Sequence, residues 1–223
     1  YIIIDGGSTD NTVSIIRHYE AKITYWVSEK DNGIYHAMNK GLLQAKGDYI
    51  AILNADDHYR PQAIELSMNR ILETSSDYSI ANAQYVHSHT IICALSNMKD
   101  SYIYQEMPYP HVTALIKKSV YESVGLFDES LKIPGDHDMA VRIHLAGHKA
   151  CYINQTLAFL EDGGISSTLD SNKESLKVAI KNGKNMVSAY LTFYKQIAIF
   201  AIVKFLPPKI VATLQKIKRS RFR

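Results

Sequence analysis

The sequence predicts an α/β protein whose sheet is mostly parallel and covered by helices, and three observations carry that expectation. Short apolar runs alternate with stretches of helical period through the first 75 or so residues. The connections between them are short, as in βα repeats. Each run ends in a polar cluster, Asp5-Gly6-Gly7, Glu29–Asn32 or Asn54–Asp57. In open α/β sheets ligands bind beyond these carboxyl ends.

Taken in order, Tyr1–Ile4 reads as a buried strand and runs into the turn Asp5-Gly6-Gly7-Ser8, which can cap a helix starting near Thr9. Ile23–Val27 reads as the second strand. From Gly33 the residues Ile34, Ala37, Met38, Gly41, Leu42 and Ala45 recur at helical spacing, and Gly47 stops that helix. Gly41 costs about 1 kcal/mol relative to Ala inside a helix, which close packing on the sheet would explain. Tyr49–Leu53 is the third strand. Pro61 opens a helix continued by Ile64, Met68, Ile71 and Leu72.

In the second half, Ser79–Val86 and Thr90–Ala94 read as paired strands and His111–Ile116 as another. Lys118–Val124 leads into Gly125-Leu126-Phe127-Asp128. A helix is expected from about His137 to Ala146, ended by Gly147. Ala150–Leu160 is extended, and Lys173–Tyr194 reads as one long amphipathic helix.

The 223 residues, 46% of them apolar, suit one large domain with a sizeable core and exclude a disordered chain. The net charge of +3 hides an asymmetry. From residue 196 onward there are seven basic residues, Lys204, Lys209, Lys216, Lys218, Arg219, Arg221 and Arg223, and no acid. Without them the remainder is mildly acidic. Such a tail fits an anionic membrane surface, while the acidic body argues against nucleic acid. Two cysteines, Cys93 and Cys151, make no disulfide framework or metal spacing and read as small buried groups. No apolar run reaches the length of a spanning helix. The chain opens inside a strand pattern with no Met before it, so the expectation is that an N-terminal segment is missing.

Four clusters carry candidate chemistry. In Leu53-Asn54-Ala55-Asp56-Asp57, adjacent carboxylates at a strand end suit a divalent cation, Mg²⁺ or Mn²⁺, with positions left for phosphate oxygens; a plain Asp-rich turn is the alternative. In Asp5-Gly6-Gly7-Ser8-Thr9-Asp10, Asp5 can meet a nucleotide base, or the segment can be a turn and helix cap. Asp31-Asn32-Gly33 with Asn39 can hold a loop. In Pro134-Gly135-Asp136-His137-Asp138, Asp136 is either a helix cap or a general base, with His137 or Asp138 to orient it.

Asp5–Asp10, Asp31–Gly41 and Gly47–Asp57, in that order and spacing, resemble the family 2 glycosyltransferases with the GT-A fold. Lys118–Glu129 followed by Asp136-His137-Asp138 is similar to that family's acceptor-side segment. Glu161-Asp162-Gly163-Gly164-Ile165-Ser166 is similar to a closing motif of its bacterial polysaccharide branch. The likeness covers about residues 1–195.

The resemblance implies a GT-A-type, Rossmann-like three-layer sandwich lacking its first βα unit, with a catalytic domain over 1–195 and a basic tail over 196–223. It implies a nucleotide-sugar site at Asp5, Gly6, Asp31, Asn54 and Asp56. It also implies a metal at Asp56 and Asp57, and Asp136 as the catalytic base. Asn54 stands where many members have Asp. The segment around His111 matches the family loosely, and His111 reads as structural.

The implied reaction is inverting transfer from a nucleotide-sugar, a UDP-sugar first among them, to a hydroxyl of a saccharide or lipid-linked acceptor in cell-surface polysaccharide synthesis. The expected location is the cytoplasm, peripheral at the inner face of the membrane. The competing readings are a metal-dependent nucleotidyltransferase and a catalytically inactive sugar-nucleotide-binding fragment.

Overall fold

A computed structural model describes residues 1–94, 103–104, 107–161 and 169–204. Strand β1 (Ile2–Asp5) pairs in parallel with β2 (Tyr25–Ser28), in a register that sets Asp5 opposite Ser28. Between them, α1 (Thr12–His18) starts three residues later than the expected Thr9. Ser8 spends its hydroxyl on Asp5 instead of capping a helix, and Asp10 Oδ1 accepts the Thr12 N–H at 2.9 Å.

Helix α2 (Ile34–Gln44) follows the predicted period and turns Tyr35, Met38, Asn39 and Leu42 inward. It packs on β1, and a methyl on Gly41 would lie 3.6 Å from Ile4 Cγ1, an ordinary contact. The helix lies on the strand as expected, but the packing is not close enough to require glycine at this position.

Strand β3 (Tyr49–Ala51) is shorter than predicted. A strand that the sequence did not announce, β4 (His58–Tyr59), precedes α3 (Ala63–Thr74). Then come β5 (Tyr78–Tyr85) and β6 (Ile91–Ile92), the expected pair. A 3₁₀ turn at His111–Thr113 replaces the first half of the predicted strand, leaving β7 (Leu115–Lys117). The Thr113 hydroxyl explains the turn: it donates to the carbonyls of Ala81 (2.9 Å) and Pro110 (2.8 Å) and accepts the Ala81 N–H.

Helices α4 (Lys118–Val124) and α5 (Gly135–Leu145) lead to β8 (Ala150–Leu160). The predicted long C-terminal helix is two, α6 (Leu169–Lys181) and α7 (Met186–Lys204). The break falls at Gly183, whose φ of +87° a helix does not allow.

The larger sheet runs β3-β7-β5-β8-β4, with β6 added on β5. Its longest ladder, β5 on β8, is parallel, as is β1 on β2; the short ladders are antiparallel. The sheet is thus mixed, with β3 paired antiparallel to β7. The main core lies between this sheet and α2, α4, α5 and α6, around Tyr78, Ile80, Val120, Val141, Ile143 and Val178, all nearly inaccessible. Burying such side chains contributes roughly 1.5–3 kcal/mol each. Both cysteines are free, Cys151 buried and Cys93 half-buried. Residues 162–166 of the expected closing motif and 205–223 of the basic tail lie outside the described residues.

Candidate active site

The strand-end clusters form two groups. In the first, the parallel register brings the Ser28 hydroxyl to Asp5 Oδ2 at 2.6 Å. The same oxygen accepts the N–H groups of Gly7 (3.2 Å) and Ser8 (3.0 Å), while Oδ1 accepts the Ser8 hydroxyl at 2.5 Å. The hydroxyls of Ser28 and then Ser8 hold the Asp5 carboxyl below its ordinary range. A carboxylate oxygen has two lone pairs, so Oδ1 retains one that can accept a donor such as a base N–H.

Gly6 faces Asp31. A side chain on Gly6 would come within 2.5 Å of Asp31 Oδ2, and the left-handed Gly7 (φ +87°) sits against the backbone of Lys30. Glycine at these positions lets the first two loops close on each other. Asp31 Oδ1 accepts the Gly33 N–H at 2.9 Å and fixes the second loop, and Lys40 pins Glu29 at 2.7 Å.

The second group gathers Asp57, His111 and Asp136. Asn54 donates from its amide to Asp57 Oδ2 at 3.1 Å. Asp56 is exposed and Asp57 half-buried. Burial, then the neighbouring Asp56 charge, pushes the Asp57 carboxyl upward, against the pull of Asn54, the Glu161 backbone and His111. Asn54, where an Asp was the commoner expectation, therefore supports Asp57 instead of adding a third negative charge. Asp136 stands at the start of α5. Its Oδ1 accepts the His137 N–H at 2.8 Å, and its Oδ2 lies 3.5 Å from His111 Nδ1.

Tyr35 joins the two groups. Its hydroxyl donates to the Ile133 carbonyl, and its ring occupies the space that a side chain on Gly135 would need, 2.5 Å from the position of that Cβ. Asn39 supports the same region, donating to the Phe127 carbonyl (3.0 Å) and Glu129 Oε1 (2.8 Å) and accepting the Phe127 N–H (2.9 Å). This is the loop-holding role expected of Asn39.

Two expectations need correction. Asp138 is not set to orient Asp136, and His137 holds Asp136 through its backbone N–H while its Nε2 faces another element. His137 Nε2 is 2.5 Å from the Ile103 carbonyl oxygen. Asp138, fully buried, is held by Arg142 Nε (2.9 Å), Asn182 Nδ2 (2.9 Å) and Lys181 Nζ (3.4 Å). Second, His111 is not the fully satisfied structural histidine expected. It sits against Asp136, and its Nε2 is buried without a hydrogen-bond partner among the described residues. A lone His in sequence carries no local signal of this; only the fold brings it to the carboxylates.

Among the described residues no three His, Cys, Asp or Glu side chains form a metal cluster. The paired carboxylates Asp56 and Asp57 fit a Mg²⁺ or Mn²⁺ that takes its remaining ligands from substrate phosphates, the usual arrangement for phosphate-bound Mg²⁺.

The family described as Glycosyl transferase family 2 matches residues 1–123. The glycosyltransferase RP339 of Rickettsia prowazekii is 31% identical over 150 residues, covering 62% of this chain and 47% of its own. The chain spans about half the length of the curated relatives it matches. Among solved structures, S. aureus TarS 1-349 in complex with UDP-GlcNAc superposes with a TM-score of 0.64 at 15% identity, over 86% of this chain and 60% of that one. The mannosyltransferase PcManGT from Pyrobaculum calidifontis, in complex with GDP-Man and Mn²⁺, gives 0.57 at 15% identity, over 98% and 70%. These likenesses show the fold, the GT-A type.

Proposed function

The chain belongs to glycosyl transferase family 2, and from that premise we propose that it transfers a sugar from a nucleotide-sugar, most simply a UDP-sugar, to an acceptor hydroxyl with inversion. The observation that carries this reading is that His111 sits against Asp136, at the start of α5, and exerts its charge on Asp57, which lies just before β4. Asp5, Gly6 and Asp31 close a second loop pair linked to Asp136 through Tyr35.

In this reading the free lone pair of Asp5 Oδ1 accepts from the base, and Gly6 and Asp31 bound the nucleotide pocket. Asp56, with Asp57 beside it and Asn54 steadying Asp57, would hold the divalent cation. When bound, the cation supplies positive charge to the departing nucleoside diphosphate. Asp136 accepts the proton of the acceptor hydroxyl as that oxygen attacks the anomeric carbon. A carboxylate is far less basic than an alkoxide, so the proton moves within the transition state, where a positioned base contributes roughly 10²–10⁴-fold. A single displacement inverts the anomeric centre.

The acceptor is a saccharide or lipid-linked hydroxyl of a cell-surface polymer, met in the cytoplasm at an anionic membrane surface. Two features support the membrane part. The outward face of α7 is apolar, with Tyr190, Leu191 and Tyr194 exposed by 42%, 67% and 62%. From Ser175 to the C-terminus the chain carries no acid. No helix among the described residues is long and apolar enough to cross a membrane, so the attachment would be interfacial.

The test is calorimetric titration of UDP into the protein with and without Mn²⁺, followed by product analysis with UDP-sugars. Binding that requires Mn²⁺ and is lost in Asp56→Ala, with free UDP as product, is the expected result. Pyrophosphate release from UTP and a sugar 1-phosphate would instead make the chain a nucleotidyltransferase. Absence of binding by any nucleoside diphosphate, from folded protein, would leave an inactive fragment.

A further inference from the structure

His111 has one ring nitrogen facing a carboxylate and one without a partner among the described residues. Nδ1 lies 3.5 Å from Asp136 Oδ2, and both side chains are a quarter exposed. Nε2 is buried and has no hydrogen-bond partner among the described residues. Leaving an imidazole nitrogen buried without a partner is costly, so His111 is a poor structural filler at this point.

The turn carrying His111 is held from three sides. Pro110 precedes it, the buried Thr113 hydroxyl ties it to Ala81 of β5, and the Tyr59 hydroxyl donates to the Val112 carbonyl at 2.9 Å. Asp136 comes from another element, at the first turn of α5. Nothing in the backbone of α5 fixes Oδ2, because the His137 N–H engages Oδ1. The group that meets Oδ2 is the imidazole of His111.

We propose that His111 is a positioning residue for Asp136, its Nδ1–H holding Oδ2 so that the carboxylate presents its remaining lone pair to the acceptor hydroxyl. This rests on the reading of Asp136 as the base. The separation of 3.5 Å is longer than a good N–H···O bond, and catalytic hydrogen bonds commonly tighten only when substrate is bound. Misplacing a reacting group by about 1 Å can cost 10²-fold in rate, which sets the scale of the expected effect.

Two measurements test it on the intact protein. Imidazole ¹⁵N NMR, with the signal assigned by its disappearance in His111→Asn, needs no substrate. The expected result is the Nδ1–H tautomer, with a shift that changes in Asp136→Asn. A pure Nε2–H tautomer, or a signal indifferent to Asp136→Asn, overturns the proposal. The second measurement is UDP release from UDP-GlcNAc with Mn²⁺ and UDP affinity by calorimetry. His111→Ala should lower kcat about 10- to 100-fold with donor KM and UDP affinity within about two-fold. His111→Asn, whose amide N–H can stand where Nδ1–H stood, should recover most of the rate. Equal losses in both variants together with a lowered Tm would make His111 merely structural and overturn the proposal, as would His111→Ala at full rate. If Asp136→Asn itself turns over normally, the base assignment fails, and that failure is distinct from one confined to His111.

Discussion

Asp128 accepts the Lys181 ammonium at 2.6 Å and the Ser130 hydroxyl at 2.6 Å. Lys181 first and Ser130 second pull its carboxyl down to about 2. The sign of the pH effect follows. A carboxyl whose folded pKa is depressed below its unfolded value of about 3.9 adds stability that is complete above that value. The gain fades as the pH falls towards about 2. Thermal melts of Asp128→Asn should lie below those of the unaltered protein at pH 6, and the gap should narrow steadily between pH 4 and pH 2.5. A gap independent of pH would mean that the lost interaction is not the ion pair. The same scale explains what could be read of single side chains. The turn and loop contacts of Asp5, Asp31 and Asn39 were legible because each sits in a recognisable local pattern. His111 was not, since its partner is 25 positions away on another element. Asp138 looked like an orienting group because it neighbours Asp136 in sequence, yet two residues of helix, just over half a turn, carry it to the opposite side, where Arg142 lies one turn further on.

At the scale of elements, two glycines make opposite predictions. Gly41 in α2 has ordinary room for a methyl, 3.6 Å from Ile4. Gly41→Ala should therefore stabilise the fold by about 0.5–1 kcal/mol, about 1–4 °C in Tm for a chain of this size. At Gly135 a Cβ would collide with the buried ring of Tyr35 at 2.5 Å. Gly135→Ala must push α5 or α2 aside, and should lower Tm and cut turnover at least 10-fold. Differential scanning calorimetry of the two variants checks both, and a stable, active Gly135→Ala would mean that the contact gives way cheaply.

Helical period made α2 and α3 legible almost to the residue. Strand β4 escaped because two residues show no alternation, and their partners, Phe159 and Ala158, are 100 positions away. The break between α6 and α7 was missed because apolar spacing continues across Gly183, where only the backbone angle reveals the turn.

At the scale of the whole molecule, α7 runs without interruption past residue 195, through the boundary expected between domain and tail. A helix apolar on its outward face as well as its inner one must be covered by something or lie in an interface. Flotation with vesicles tests the proposed cover. The protein should float with anionic lipid, less well at high salt, and Leu191→Glu with Tyr194→Glu should abolish flotation. Retained flotation in that double variant would remove α7 from the attachment, and loss of a dimer on gel filtration without any vesicle binding would identify a second copy as the cover. The overall GT-A architecture was legible from motif order. The pairing of β3 with β7 was not, because antiparallel partners 66 residues apart leave no trace in local periodicity.

The contact of Tyr35 with the Ile133 carbonyl spans 98 positions, and that of Asn39 with Phe127 spans 88. Closing loops of that length costs entropy before any contact repays it. During synthesis the N-terminal residues emerge first, so the loops holding Asp5, Asp31 and Asp57 leave the ribosome well before Asp136 and the segments that clamp it. The nascent chain therefore passes through an interval in which the loops proposed to hold the nucleotide exist and the proposed base does not. On the proposed roles, the order of translation would keep an unfinished chain from consuming a donor.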